Sequence, residues 1–187
     1  MDEHTCPWWF GYTFDNPIRS ILHAPCQVVG KYVEKGDTVA DIGCGGGHFT
    51  LGLAELVGSE GKVLALDVQE KMLRRVRRRG QRQGLEAVID PRLCNPDSLG
   101  LDGPLDFALA FWMVHEVPDQ RAFFSEVRSA LKPSGGFLVA EPLLHVTAGR
   151  FRETVEVARE VGFEVGAEPR IRFSRAVLLS PSGNLRT

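Results

Sequence analysis

From about residue 36 onward, short apolar runs alternate with longer stretches of helical spacing. Residues 37–42 read as a strand that runs straight into five positions, 43–47, of which four are glycine. His48–Val57 follows as a helix, with Phe49, Leu53, Ala54 and Val57 on one face. Lys62–Asp67 is a second strand, and residues 69–83 form a helix that stops at Gly84. Residues 87–93 give a weak third strand, interrupted by Pro91. Residues 106–111 are almost unbroken in apolar character, as expected of a strand buried on both faces. A helix over 120–131 turns Phe123, Phe124 and Val127 inward and closes at the Pro-Ser-Gly-Gly turn, 133–136. A fifth strand over 137–141, a helix over 150–161 ending at Gly162, and strand-like runs at 163–171 and 176–179 complete the pattern.

Strand–helix alternation of this kind predicts parallel strands joined by right-handed crossovers, with helices on both faces. The last two strand-like runs lie too close together for a crossover and predict an antiparallel edge pair. The expected fold is therefore α/β, a doubly wound, mostly parallel seven-stranded sheet, and its ligand site belongs at the carboxyl ends of the strands. It occupies residues 36–187. Residues 1–35 do not follow the alternation. They form an aromatic leader with Trp8, Trp9, Phe10, Tyr12 and Phe14, ending in a short helix from Ala24 or Cys26 to Val33.

Composition narrows the classes. The chain has 187 residues, 43% hydrophobic and 25% charged, which is globular composition. Its 22 basic and 24 acidic side chains leave a net charge of −2, against a strongly basic nucleic-acid binder. No apolar run reaches the length of a membrane span, and the amino terminus carries no export signal. The four cysteines, at 6, 26, 44 and 94, include no CxxC pair and match neither a disulfide framework nor a common zinc site. The expectation is a cytoplasmic protein with reduced thiols, no bound metal, no nucleic-acid or membrane partner, and room for a homodimer.

The candidate chemistry starts at Asp41-Ile-Gly43-Cys-Gly45-Gly-Gly47. Glycine between a strand and a helix permits a sharp turn and a close approach of ligand to backbone. A dinucleotide loop also places glycines here, which keeps a nicotinamide-dependent oxidoreductase as an alternative. Two details separate the cases. The dinucleotide pattern wants glycine where His48 stands, and it has no use for an acid two residues before its first glycine, where Asp41 would repel a pyrophosphate. A positively charged amino-acid moiety would favour that acid. Asp67 closes the second strand, where a carboxylate accepts both ribose hydroxyls of a nucleoside.

Four segments together resemble the class I S-adenosylmethionine-dependent methyltransferases, whose sheet is Rossmann-like. Residues 39–47, Val-Ala-Asp-Ile-Gly-Cys-Gly-Gly-Gly, look like the family's first motif, and Leu64-Ala-Leu-Asp67 with Val68 like its second. Residues 105–119 are similar to the fourth-strand segment and 131–141 to the fifth. The resemblance covers 36–180 and is nearest the small-molecule branch that holds the quinone-biosynthesis and arsenite methyltransferases. It implies S-adenosylmethionine as cofactor, held by Asp41, Gly43, Gly45, Gly47 and Asp67, with Val68 and Met72 flanking the adenine. Asn95, with Asp97 as rival, would take the adenine amino group, and carbonyls of the turn begun by Phe111 the methionine amino group.

Methyl transfer from a sulfonium is an in-line displacement, so the protein supplies mostly proximity, orientation and a dry pocket. A base is needed where the acceptor holds its proton tightly. His115 and Glu141, at the ends of the fourth and fifth strands, are the catalytic candidates; the plain alternatives are a histidine bracing its loop and a glutamate orienting amides of the glycine loop. Trp112 and His115 are expected to touch the acceptor. Trp8, Trp9, Phe10 and Tyr12 are expected to cover it as a lid, since aromatic faces suit a sulfonium and an apolar acceptor alike. The acceptor is expected to be a small molecule, because the turn Ala110-Phe-Trp-Met113 lacks the polar-Pro-Pro-aromatic tetrad of nucleic-acid amino methyltransferases. A cofactor-binding module without turnover is the remaining alternative. Cys6, Cys26 and Cys94 are candidate metalloid ligands only if the leader folds over the site. The arginines between 74 and 82 read as a solvated helix face.

Overall fold

The computed structural model describes residues 23–182, so the expected lid residues Trp8, Trp9, Phe10 and Tyr12, together with Cys6, lie outside the described residues. The chain divides into two compact units, one ending at Cys94 and one beginning at Asn95.

The first unit holds α1 (Pro25–Val29), β1 (Thr38–Ile42), α2 (His48–Val57), β2 (Lys62–Asp67), α3 (Glu70–Gln83) and β3 (Ile89–Leu93). Its strands run parallel, with Asp41 opposite Ala65 and Ala65 opposite Pro91. Val39, Ala40, Val63, Ala65 and Leu66 are fully buried, which explains why β1 and β2 read as continuous apolar runs. Pro91 is tolerated because β3 ends the sheet, where a missing ladder N–H leaves no partner wanting. α3 buries Met72, Leu73, Val76 and Gly80, and Arg74, Arg77, Arg78 and Arg82 line its exposed face. α1 packs so closely on α2 that a Cβ added at Gly52 would lie 2.2 Å from Pro25.

The second unit holds β4 (Leu105–Phe111), a 3-10 turn (Val114–Glu116), α4 (Gln120–Ala130), β5 (Leu131–Pro142), α5 (Ala148–Glu160), β6 (Phe163–Val165) and β7 (Ser174–Pro181). Asp119 caps α4 by accepting the Ala122 N–H at 2.9 Å, and Thr147 caps α5 by accepting that of Arg150. β5 runs parallel to β4 and antiparallel to β7, which pairs antiparallel with β6. The core of this unit is a cluster of phenylalanines. Phe124 meets Phe137 and Phe163 with ring centroids 6.0 and 6.2 Å apart, and Phe123 packs edge-on to Phe124. The seven strands follow the order β3-β2-β1-β4-β5-β7-β6, the mostly parallel sheet with an antiparallel carboxyl-terminal edge that the sequence predicts.

Four local expectations change. The leader's helix is one turn, 25–29, rather than reaching Val33. Leu131 opens β5 instead of closing α4, and the Pro-Ser-Gly-Gly segment is drawn into that strand. There the register jumps: Leu105 pairs Leu131, yet Phe107 pairs Gly136. Gly135 sits where a Cβ would be 3.0 Å from two carbonyl oxygens, so glycine is required for the close approach rather than for a chain reversal. Finally, β6 stops at Val165 and not near Ile171. Gly166 and Ala167 still exchange hydrogen bonds with Leu178, after which Pro169 has no N–H to continue.

Candidate active site

In the first unit, β1 delivers the chain into a loop whose Gly43, Gly45 and Gly47 take φ of 69°, 52° and 83°. A side chain at any of these positions would be strained, which is why glycine alternates there. The Cys44 N–H bonds the Leu66 carbonyl at 2.9 Å and stitches the loop to β2. Asp67 completes the closure: its Oδ2 accepts the Gly45 N–H at 2.9 Å and its Oδ1 the Gln69 N–H at 2.8 Å. Burial pushes the Asp67 carboxyl upward against the lowering effect of these two amides. Each of its oxygens keeps a lone pair for a further donor. A Cβ on Gly45 would meet nothing within 4 Å, so the loop's crest is open.

Asp41 is buried and faces α2, where the Thr50 hydroxyl donates to its Oδ2 at 2.6 Å. Cys44 is also buried; burial first, then the charges of Asp41 and Asp67, hold its thiol well above the usual range and therefore protonated. His48 opens α2 and donates from Nε2 to the His23 carbonyl at 2.8 Å. The residue that breaks the dinucleotide pattern thus ties the segment before α1 to the helix after the loop. Val68 is partly exposed beside Asp67, whereas Met72 is buried on α3.

In the second unit, Asn95 and Ser98 exchange backbone hydrogen bonds across a tight turn, leaving Asn95 and Asp97 exposed. Phe111 ends β4, buried, with its ring stacked on Trp112 at 5.3 Å. Trp112 has φ 62°, a left-handed conformation that costs of order 1–3 kcal/mol in a non-glycine residue. Two bonds hold it there: its N–H to the Ala140 carbonyl at 2.7 Å, and its indole Nε1 to Ser174 Oγ at 2.8 Å.

The chain then enters the 3-10 turn, where Glu141 governs the geometry. This carboxylate is 1% exposed; Oε1 accepts the Val114 N–H at 2.9 Å and Oε2 accepts from His115 Nδ1. Burial works against a charge on His115, but the bond to Glu141, that residue's negative charge and Glu116 outweigh it and raise the imidazole above its ordinary value. With Nδ1–H held by Glu141, Nε2 is the ring nitrogen that gains or loses the proton, and when protonated it pairs with Glu116 Oε1 at 3.9 Å. The ring of His145 lies 6.3 Å from that of His115.

The structure therefore brings together Gly43, Gly45, Gly47 and Asp67 in one unit, and Phe111, Trp112, His115 and Glu141 in the other. Sequence reasoning missed Thr50 and Ser174. A lone hydroxyl on the apolar face of α2 was a signal for the first; nothing local marks the second. Among the described residues no group of three or more His, Cys, Asp and Glu side chains converges on a metal position, and no helix is long and apolar enough to cross a membrane.

A family model described as a methyltransferase domain matches residues 33–163. A demethylmenaquinone methyltransferase of Geobacillus stearothermophilus is 33% identical over 106 residues, 55% of this chain and 44% of that protein. A ubiquinone/menaquinone biosynthesis C-methyltransferase of Hydrogenovibrio crunogenus is 28% identical over 110 residues, 58% of this chain and 43% of that protein. The chain thus spans under half the length of the curated relatives it matches. In fold, a SAM-dependent methyltransferase from Aquifex aeolicus superposes with a TM-score of 0.84 at 23% identity, covering 95% of this chain and 100% of that one. The strand, the glycine loop and the acid that closes it all fall inside the matched stretch, and the chain belongs to the methyltransferase domain family.

Proposed function

We propose that the chain transfers the methyl group of S-adenosylmethionine to a small-molecule acceptor. The observation that carries this reading is the Asp67 closure: a buried carboxylate already bonded to the loop, with a lone pair left on each oxygen. A vicinal diol supplies two donors to such a group and relieves the desolvation that raises it. When bound, S-adenosylmethionine supplies an electrophilic methyl carbon on a sulfonium. Asp67 would hold the ribose, Val68 and Met72 the adenine with Asn95 at its amino group, and Asp41, the glycine backbone and the Phe111 turn the methionine portion.

On the acceptor side, His115 is the proposed base and Glu141 the residue that orients it. Glu141 fixes the proton on Nδ1, so Nε2 takes the acceptor's proton. With the cofactor bound, the acceptor's freed electron pair would be directed at the methyl carbon, and the sulfonium would supply the leaving group that keeps the carbon–sulfur pair. A ring-carbon acceptor would in addition lose its ring proton to solvent water, which restores aromaticity while His115 still holds the first proton. Trp112 is the proposed contact to the acceptor's flat part, and Trp8, Trp9, Phe10 and Tyr12 its proposed cover.

The test is a screen with methyl-labelled cofactor against 1,4-dihydroxynaphthalene, catechol, a small thiol, arsenite and bulk RNA. Transfer to one of the small molecules, lost in His115→Ala with cofactor binding retained, supports the reading. Cofactor binding without transfer to any of them identifies a binding module, and transfer to RNA alone overturns the small-molecule assignment. Deleting residues 1–14 is expected to lower transfer by orders of magnitude while binding persists.

A further inference from the structure

Trp112 and Phe173 are the two non-glycine residues with left-handed backbone among the described residues, at φ 62° and 58°. They are linked through Ser174. Its Oγ accepts from the Trp112 indole at 2.8 Å and donates to the Arg172 carbonyl at 3.3 Å, using the hydroxyl both ways. The Ser174 N–H is bonded to the Ile171 carbonyl at 3.1 Å, and the Phe173 carbonyl accepts the Leu143 N–H at 2.9 Å. Ser174 is thus held by the turn before β7, and it grips an indole 62 residues away. A strained backbone persists only where its surroundings over-determine it. Here that determination is spent on one part-buried ring. One face of the indole stacks on Phe111 at 5.3 Å with 29° between the planes, and the hydrogen bond at its edge stops rotation.

We propose that Ser174 is a positioning residue: its hydroxyl fixes the Trp112 indole as a rigid wall against which the planar part of the acceptor stacks. The proposal rests on Trp112 being an acceptor contact, as proposed above. Offset stacking of two rings depends on their relative tilt, so a ring free to swing loses contact and selectivity together. An indole pinned at its nitrogen meets the acceptor already in its bound orientation, which spares the cost of ordering it on binding.

The full chain has three tryptophans, so Trp8→Phe with Trp9→Phe leaves Trp112 as the sole indole emitter. In that protein 1,4-naphthoquinone, a contact quencher of indole, is expected to quench emission saturably. Ser174→Ala should alter the emission maximum and weaken the naphthoquinone Kd by up to about tenfold, the worth of one net hydrogen bond. Ser174→Thr, which keeps the hydroxyl, should restore both. Ser174→Cys, close in volume but a weak acceptor, gives the same reading should the alanine protein not fold. Unchanged emission and affinity in Ser174→Ala overturn the proposal, as does an equal loss in Ser174→Thr. Absence of saturable quenching in the Ser174 protein overturns it too. The methyl-transfer reading stands or falls separately, on the labelled-cofactor screen, which this titration does not use.

Discussion

The glycine loop and the His115 turn are built from opposite materials. The loop is a backbone device: Asp67 reaches the amide of Gly45, Cys44 is tied to β2 through its N–H, and the three left-handed glycines set the path. Its side chains contribute little, and Cys44 is merely small enough to bury. The turn is a side-chain device: one buried carboxylate, 26 residues from the histidine it orients, sets both the shape of the backbone and the tautomer of the ring. The difference teaches where each is vulnerable. A backbone cradle fails when its acceptor is removed or a Cβ is added. A carboxylate–imidazole pair fails when a charge changes, so its pH dependence follows the titration of His115, whereas the loop's follows the Asp67 carboxyl and lies on the acid side.

The largest effect is expected at Asp67. Asp67→Ala removes the acceptor of two amides and of the proposed diol, and calorimetric titration should show S-adenosylmethionine affinity falling by at least about a hundredfold, the worth of two charge-assisted hydrogen bonds. Intact affinity in this variant, with affinity lost in Glu141→Gln, would reverse the roles given to the two regions.

Next in size is His115→Ala. Initial rates with the acceptor found in the screen should fall about 10²-fold or more, as for loss of a general base, with cofactor affinity within a few fold of the parent. A comparable fall in cofactor affinity would make the turn part of the cradle and dissolve the comparison.

The pH dependence sharpens it. The folded pKa of His115 lies above the ordinary 6.5, so its bond to Glu141 adds stability that is complete below the unfolded value and is lost as pH rises through the folded one. A base must be neutral, so the rate should climb with pH through an apparent pKa above 6.5. Glu141→Gln should lower the plateau and move that rise toward lower pH, because burial then acts on the imidazole with less opposing charge. A profile that keeps its midpoint in Glu141→Gln would assign the titration to another group.

The smallest effect is expected at Thr50→Val. It strips the hydroxyl from the buried Asp41 carboxylate, and calorimetry should show a loss of about 1–3 kcal/mol, a few degrees in Tm.

The parts that were legible in the sequence are those whose physics is local. Leu53, Ala54 and Val57 mark α2 by spacing alone, and the glycines beside Asp41 announce a strand passing into a tight loop. The run at 163–171 misled because its apolar residues look like one strand, whereas Pro169 lacks the N–H to extend it. The Pro-Ser-Gly-Gly segment misled for a related reason: Gly135 serves a close approach to carbonyl oxygens inside a strand, and composition does not distinguish that from a turn. Ser174 was invisible because its partner is 62 residues distant and only the folded sheet edge brings them together. His48 was noticed for what it excludes, and its bond to the His23 carbonyl depends on a segment with no periodic pattern.

The thiol at the centre of the glycine loop has a consequence for oxidative chemistry. Peroxide and alkylating reagents attack thiolates, and Cys44 is held protonated first by its burial and then by the charges of Asp41 and Asp67. Cys26, on α1, is exposed, whereas Cys94 is buried. Among the described cysteines, a pulse of oxidant or a maleimide dye therefore falls on Cys26 first. The loop carries its sulfur through such a pulse unmodified, and a fluorophore placed at Cys26 reports on the unit that holds the loop without touching the loop itself.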